Sequence, residues 1–116
     1  MNATLHQEYR PFEVDVSTRP GDIRVAPAGE IDMATAGILQ ERIAALLEGG
    51  CDRLVLDLHD VAFMDSTGLR LVLEVARAAQ RGGWELAVVR MPAAVRRLFE
   101  LSGVLDAVPL DDREGV

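Results

Sequence analysis

The chain is 116 residues long, with 49% hydrophobic, 27% charged and 4% aromatic side chains. That is the length of one domain, with more apolar content than disordered chains carry. Twelve basic against nineteen acidic residues leave a net charge of −7, the wrong sign for covering a phosphate backbone, so no direct nucleic-acid partner is expected. Every basic residue is Arg, which excludes lysine Schiff-base enzymes. Cys51 is the single cysteine and has no intrachain disulfide partner. It is expected as a small buried hydrophobe in a reducing compartment. Met1 to Pro11 shows no basic-then-apolar export signal. Leu69 to Ala79, the longest apolar-rich stretch, is broken by Arg70, Glu74 and Arg77 and is too short to span a membrane. The expectation is a cytoplasmic protein without membrane insertion.

In chain order, residues 1–11 are expected as a flexible segment. Phe12 to Ser17 alternates apolar and polar, Arg19-Pro-Gly-Asp22 supplies turn chemistry, and Ile23 to Ala26 follows as the second strand of a hairpin. Pro27 has no N–H for a ladder, which places it near that strand's end or at an edge, with Gly29 to Asp32 leading away. Apolar positions Ala36, Leu39, Ile43, Leu46 and Leu47 predict an amphipathic helix over 35–48, capped by Asp32 or Thr35 and stopped by Gly49-Gly50. Leu54 to Leu58 reads as a buried strand with a trailing loop. A second helix then runs to about Gln80, ended by Gly82-Gly83. Trp84 to Arg90 reads as a strand, a short helix starts at Pro92 and stops at Ser102-Gly103, and Ala107 to Leu110 reads as a last strand. This order predicts an α/β fold (α+β mixed). Its central mixed sheet has an N-terminal antiparallel hairpin followed by βαβαβ-like units, with helices packed on the sheet. Asp106 to Val116 carries four acidic residues against Arg113 alone and is expected to fray, with 111–116 as an acidic tail.

The segment Val61-Ala-Phe-Met-Asp-Ser-Thr-Gly-Leu69 places Ser66 where a strand's trailing loop meets a helix, as a natural N-cap. Backbone N–H groups of a first helical turn are unpaired and carry the positive end of the helix dipole, so an oxyanion on this hydroxyl meets ready donors. A phosphate there adds about −1.5 to −2 charge beside Asp65 and would repel whatever docks on the bare surface. The plainer reading, favoured on local spacing alone, is that Ser66 or Thr67 only caps the helix and Gly68 permits close packing. In the second helix, apolar residues cover an arc of roughly 220°. The surplus around Leu71 and Val75 is either covered by a neighbouring helix or belongs to a partner face. Glu74 is placed to pair with Arg70 and Arg77.

Enzyme readings fare poorly, and no enzyme activity is expected. Ser66 lacks the Gly-x-Ser-x-Gly elbow, and His6 and His59 are not placed as general bases. Asp57, Asp60 and Asp65 could gather around a cation, but carboxylates after strands more commonly serve as caps and turn residues, so no metal site is assigned. No acidic pair supports a phospho-aspartate receiver, and no glycine-rich phosphate loop is present, so no cofactor is expected.

Three separated blocks, Gly29-Glu-Ile-Asp32, Phe63-Met-Asp-Ser-Thr-Gly-Leu69 and Pro92-Ala-Ala-Val-Arg-Arg-Leu-Phe-Glu-Leu-Ser-Gly103, together resemble a STAS domain, and more narrowly the bacterial anti-sigma factor antagonists. The likeness covers residues 12–110 and implies a STAS-type fold. The resemblance implies that the unmodified protein binds an anti-sigma factor that is also a serine kinase, freeing a sigma factor for transcription. That kinase would phosphorylate Ser66, and a serine phosphatase would restore it. Asp32, Asp65, Ser66, Thr67, Gly68, Leu69 and Arg70 are then expected on the docking surface, with Arg70 where close members often carry a small residue. Two alternatives remain open: a non-switching STAS scaffold subunit of a transporter or signalling complex, and direct binding of a nucleotide or other small anion at the Ser66 helix start.

Overall fold

A computed structural model describes residues 11–111. Strands β1 (Glu13–Arg19) and β2 (Asp22–Ile31) form the expected hairpin, closed by the Arg19↔Asp22 pair. Gly21 turns it with φ +81°, and its missing Cβ leaves room for the Asp52 carboxylate. Helix α1 (Ala36–Leu47), strand β3 (Arg53–Asp57), strand β4 (Val61–Met64), helix α2 (Ser66–Gly82), strand β5 (Glu85–Val89) and helix α3 (Ala93–Leu101) follow, then a 3₁₀ turn over Leu105–Ala107. The mixed five-stranded sheet runs β1-β2-β3-β5, with β4 also pairing β2. Only β1 is antiparallel to its neighbour. The mixed α/β class is as the sequence predicts.

The alternation of each strand sorts the sheet into two faces. Ile23, Val25, Leu54, Leu56, Leu86 and Val88 share one buried cluster with Leu39 and Ile43 of α1, Leu71, Val72 and Val75 of α2, and Phe99 of α3. Val55, Ala87 and Val89 form a small separate cluster on the other face. Beside it the carboxylate of Asp57, the one buried charged residue among the described residues, accepts from Arg24 at 2.9 Å and from both Nε and Nη2 of Arg90. Arg90, immediately after β5, adopts φ +54°.

Several expectations are corrected. Pro27 is neither at an edge nor at a strand end, for β2 continues to Ile31 and Pro27 is fully buried. In a two-residue hairpin the closing pair exchanges hydrogen bonds, so Asp22, Arg24, Ala26 and Ala28 turn their N–H groups toward β1. The residues between them face the other way, as Gly29 does in donating to Asp60 C=O at 3.0 Å. The nitrogen of Pro27 therefore points away from β1, where the β3 ladder has stopped at Val25↔Leu56 and the β4 ladder begins only at Gly29↔Val61. No ladder needs its missing donor.

The stretch after β3 is not merely a trailing loop, because Val61–Met64 becomes β4 beside the far end of β2. The expected last strand reduces to the 3₁₀ turn and a single parallel bridge, Val88↔Leu110. Nor does the chain fray from Asp106. Asp111 donates its N–H to Val88 C=O at 2.9 Å and its carboxylate meets Arg53 at 3.3 Å. Beyond Pro11 and Asp111, the predicted flexible segment and acidic tail lie outside the described residues.

Cys51 is half-buried at the core's rim rather than buried, and burial, then Asp52 and Asp22, push its thiol pKa up. Leu71 and Val75 are covered by α1, which decides that question for the neighbouring helix. Glu74 forms no ion pair with Arg70 or Arg77, in keeping with the small worth of exposed pairs against side-chain entropy. Among the described residues no helix is long and apolar enough to cross a membrane.

Candidate functional site

At the end of the sheet where β2 and β4 stop, two loops run side by side. Asp65 donates its N–H to Ile31 C=O at 3.1 Å, tying the β4–α2 junction to the end of β2. In the β2–α1 loop the Asp32 carboxylate accepts from the Ala34 N–H at 2.9 Å, and its C=O accepts from the N–H groups of Thr35 and Ala36. Thr35 stands at the N-cap position of α1 but gives the helix no side-chain cap bond. Its hydroxyl accepts from the Asp32 N–H at 3.0 Å and donates back to Glu30 C=O at 2.7 Å, so it braces the loop.

Helix α2 is capped by Asp65, not by Ser66. In extended conformation (φ −104°, ψ −169°), Asp65 accepts from the Thr67 N–H at 2.9 Å, the Gly68 N–H at 3.4 Å and the Thr67 hydroxyl. The Thr67 hydroxyl, followed by the N–H groups of Thr67, Gly68 and Met33, outweighs partial burial and holds this carboxyl below its ordinary pKa. Asp65 is thus ionised at neutral pH and joins both loops through one side chain.

This corrects the expected phosphate cradle. Most donors of the first turn are already committed, with Thr67 and Gly68 on the Asp65 carboxylate and Leu69 N–H on Asp65 C=O, which leaves the Ser66 N–H as the one without an acceptor among the described residues. Ser66 is consequently the first residue of the helix rather than its cap. Its side chain is exposed and makes no hydrogen bond among the described residues. An anion added there finds a single open backbone donor in the turn, the Ser66 N–H, and lies beside a fixed negative charge.

The other expected residues fall around it in different roles. Thr67 is tied to Asp65, Leu69 is half-buried against the core, and Arg70 points to solvent. Gly68 is buried where α2 crosses the end of β2, and a Cβ there would stand 2.5 Å from Met64 Cγ, 2.9 Å from Ile31 Cγ2 and 3.2 Å from Ile31 O. Gly68→Ala is therefore expected to lift the helix start and destabilise the protein by about 1–3 kcal/mol, the usual range for overpacking. Urea unfolding checks this, and an unchanged midpoint would show that the contact relaxes freely.

Two residues escaped the sequence reading. Met33 is 83% exposed in the loop that donates to Asp65, and Phe63 is 50% exposed two residues before it. Large apolar side chains so exposed beside a polar loop mark a surface fit for a partner. The signal for Met33 was its place among polar and small residues, Asp32 and Ala34, outside any periodic stretch.

The three aspartates weighed for a cation do not converge. Asp57 is held by Arg24 and Arg90 on the face opposite the helices, Asp60 contacts His59 at 3.1 Å, and Asp65 caps α2.

Comparison with known proteins adds four findings. Residues 13–115 match the STAS domain family profile. The chain is 36% identical over 99 residues to the anti-sigma-B factor antagonist of Bacillus subtilis, covering 85% of this chain and 90% of that one. The crystal structure of an anti-sigma factor antagonist from Mycobacterium paratuberculosis superposes with a TM-score of 0.70 at 32% identity, covering 86% of this chain and 85% of that one. The phosphorylated form of the Bacillus cell fate determinant SpoIIAA shares the fold, with a TM-score of 0.66 at 22% identity over 90% of this chain and 95% of that one.

Proposed function

The chain belongs to the STAS domain family, among its anti-sigma factor antagonists, and from that premise we propose that it is a non-enzymatic phospho-switch whose acceptor is Ser66. Unphosphorylated, it binds an anti-sigma factor that is also a serine kinase, and so frees a sigma factor for transcription. Phosphorylation of Ser66 ends that binding, and a serine phosphatase restores it. The partner supplies the ATP; this chain supplies the acceptor and the docking surface of Asp32, Asp65, Ser66, Thr67, Leu69 and Arg70, flanked by Met33 and Phe63, with the buried Gly68 seating the helix beneath it.

The observation that carries this reading is the division of labour between adjacent residues. Asp65 does the capping, and that leaves the Ser66 hydroxyl exposed and unengaged at a fixed point of a rigid helix. A capping serine would have its oxygen committed to backbone N–H groups and would have to break the helix start to react. Ser66 can be modified with no rearrangement of α2.

Incubation with the cognate kinase and ATP is expected to add one phosphate, mapped to Ser66, with no transfer to Ser66→Ala while that variant still binds. Transfer to another residue by an active kinase would refute the assignment. Direct capture of a free nucleotide at the helix start has less support, since Asp65 already occupies two of the donors such an anion needs and adds a like charge beside it.

A further inference from the structure

Strand β1 pairs with β2 on one side only, and no described residue pairs with its other side. Glu13, Asp15, Ser17, Thr18 and Arg19 are exposed along it. We propose that this edge pairs with β1 of a second copy, antiparallel, about a two-fold axis at Val16, joining two sheets into one.

Hydrogen-bond parity allows this register. The Arg19↔Asp22 closing pair turns the backbone groups of Glu13, Asp15, Ser17 and Arg19 toward β2, which leaves those of Val14, Val16 and Thr18 on the free side. An axis at Val16 sets Val16 against itself and Val14 against Thr18 of the second copy, so every outward N–H and C=O meets a partner. All seven residues of the strand overlap.

Charge is compatible with the same register. Glu13 falls opposite Arg19 of the second copy, twice by symmetry, and neither side chain has an ionic partner among the described residues of its own chain. Asp15 falls opposite Ser17. Moving the axis to Asp15 sets two aspartates face to face and strips Arg19 of a partner; moving it to Ser17 pairs Asp15 with Arg19 but leaves Glu13 overhanging and sets Val14 against Pro20, which has no N–H to donate. Charges on an edge strand ordinarily discourage pairing, and here they allow the one register that also overlaps the whole strand. On the facing side of the strand, Val14, Val16 and Thr18 supply β-branched cross-strand contacts. Because β4 lies on the other side of β2, Ser66 stays uncovered in both copies.

Sedimentation equilibrium of the full chain, up to about 1 mM, tests the pairing. The expected result is a concentration-dependent dimer. Glu13→Arg or Arg19→Glu alone should weaken it about tenfold, because each turns two attractive pairs repulsive, and the two together should restore it. Thr18→Pro removes an outward N–H that the monomer does not use and should abolish the dimer with the circular dichroism unchanged. Hydrogen exchange supplies an independent reading: the amides of Val14, Val16 and Thr18 should slow as concentration rises, while that of Ser17 should not change. A chain that stays monomeric throughout, or a dimer indifferent to these substitutions, would overturn the proposal.

Discussion

Ser66→Asp is expected to weaken the complex with the cognate anti-sigma factor kinase by about a hundredfold or more, while Ser66→Asn, of the same size but neutral, loses far less. The difference isolates charge from bulk. Two of the first-turn donors that could neutralise an anion are held by Asp65, which is itself ionised, so the added charge stands beside a like charge and must be desolvated when the partner docks. Like charges brought together in an interface oppose binding by several kcal/mol, and about 3 kcal/mol is roughly a hundredfold. Isothermal titration of the three proteins against the kinase measures it. Equal losses for Asp and Asn would mean that shape, not charge, operates the switch, and no loss with Asp would favour a fixed scaffolding role.

The largest effect on stability is expected at Asp57. Breaking a buried ion pair by removing one partner typically destabilises by about 3–5 kcal/mol. Here the two guanidiniums left behind are 32% and 38% exposed and recover some hydration, which lowers the expectation for Asp57→Asn to about 2–3 kcal/mol. For a domain of this size that is a fall in Tm of roughly 10 °C or more.

The same side chain gives the loss a pH signature. Burial pushes the Asp57 carboxyl up, but hydrogen bonds from Arg90, the His59 N–H and Arg24 pull it down further, so its pKa in the folded protein lies below the ordinary value. A carboxyl depressed on folding stabilises fully above its unfolded pKa, near 3.9, and the contribution disappears as pH falls through the folded pKa. The gap between wild type and Asp57→Asn should therefore be constant from neutral pH to about 5 and close below about 4. A gap that persists into strong acid would assign the loss to packing instead of charge.

Along the chain, what a short window of sequence can hold was legible. The hairpin with its Pro-Gly turn, the amphipathic α1, the long α2 and its glycine stop, β3, β5 and α3 all follow from period and turn chemistry, which are properties of neighbouring residues. So was the prominence of Ser66, because strand, aspartate and hydroxyl residues meet a helix start within nine positions. Whether Asp65 or Ser66 caps that helix was not legible, since both residue types cap well and the choice rests on Asp65 also reaching the Ile31 C=O and the Met33 N–H of another loop.

Contacts distant in sequence decided the remainder. Pro27 sits inside a central strand because β2 exchanges one neighbour for another at that residue, and no local rule sees two ladders ending and beginning. Val61–Met64 is a strand only because the far half of β2 offers it an edge. The surplus apolar arc of α2 is core because α1 lies on it, and Asp57 is an ion-pair centre because Arg24 arrives from β2 and Arg90 from the residue after β5. Conformational preference is set by each residue's near neighbours, so the sequence alone determined the elements and put a hydroxyl at a helix mouth. Burial, hydrogen-bond satisfaction and charge pairing are set by whatever the fold brings close, so only the tertiary structure decided that this hydroxyl is the one left free.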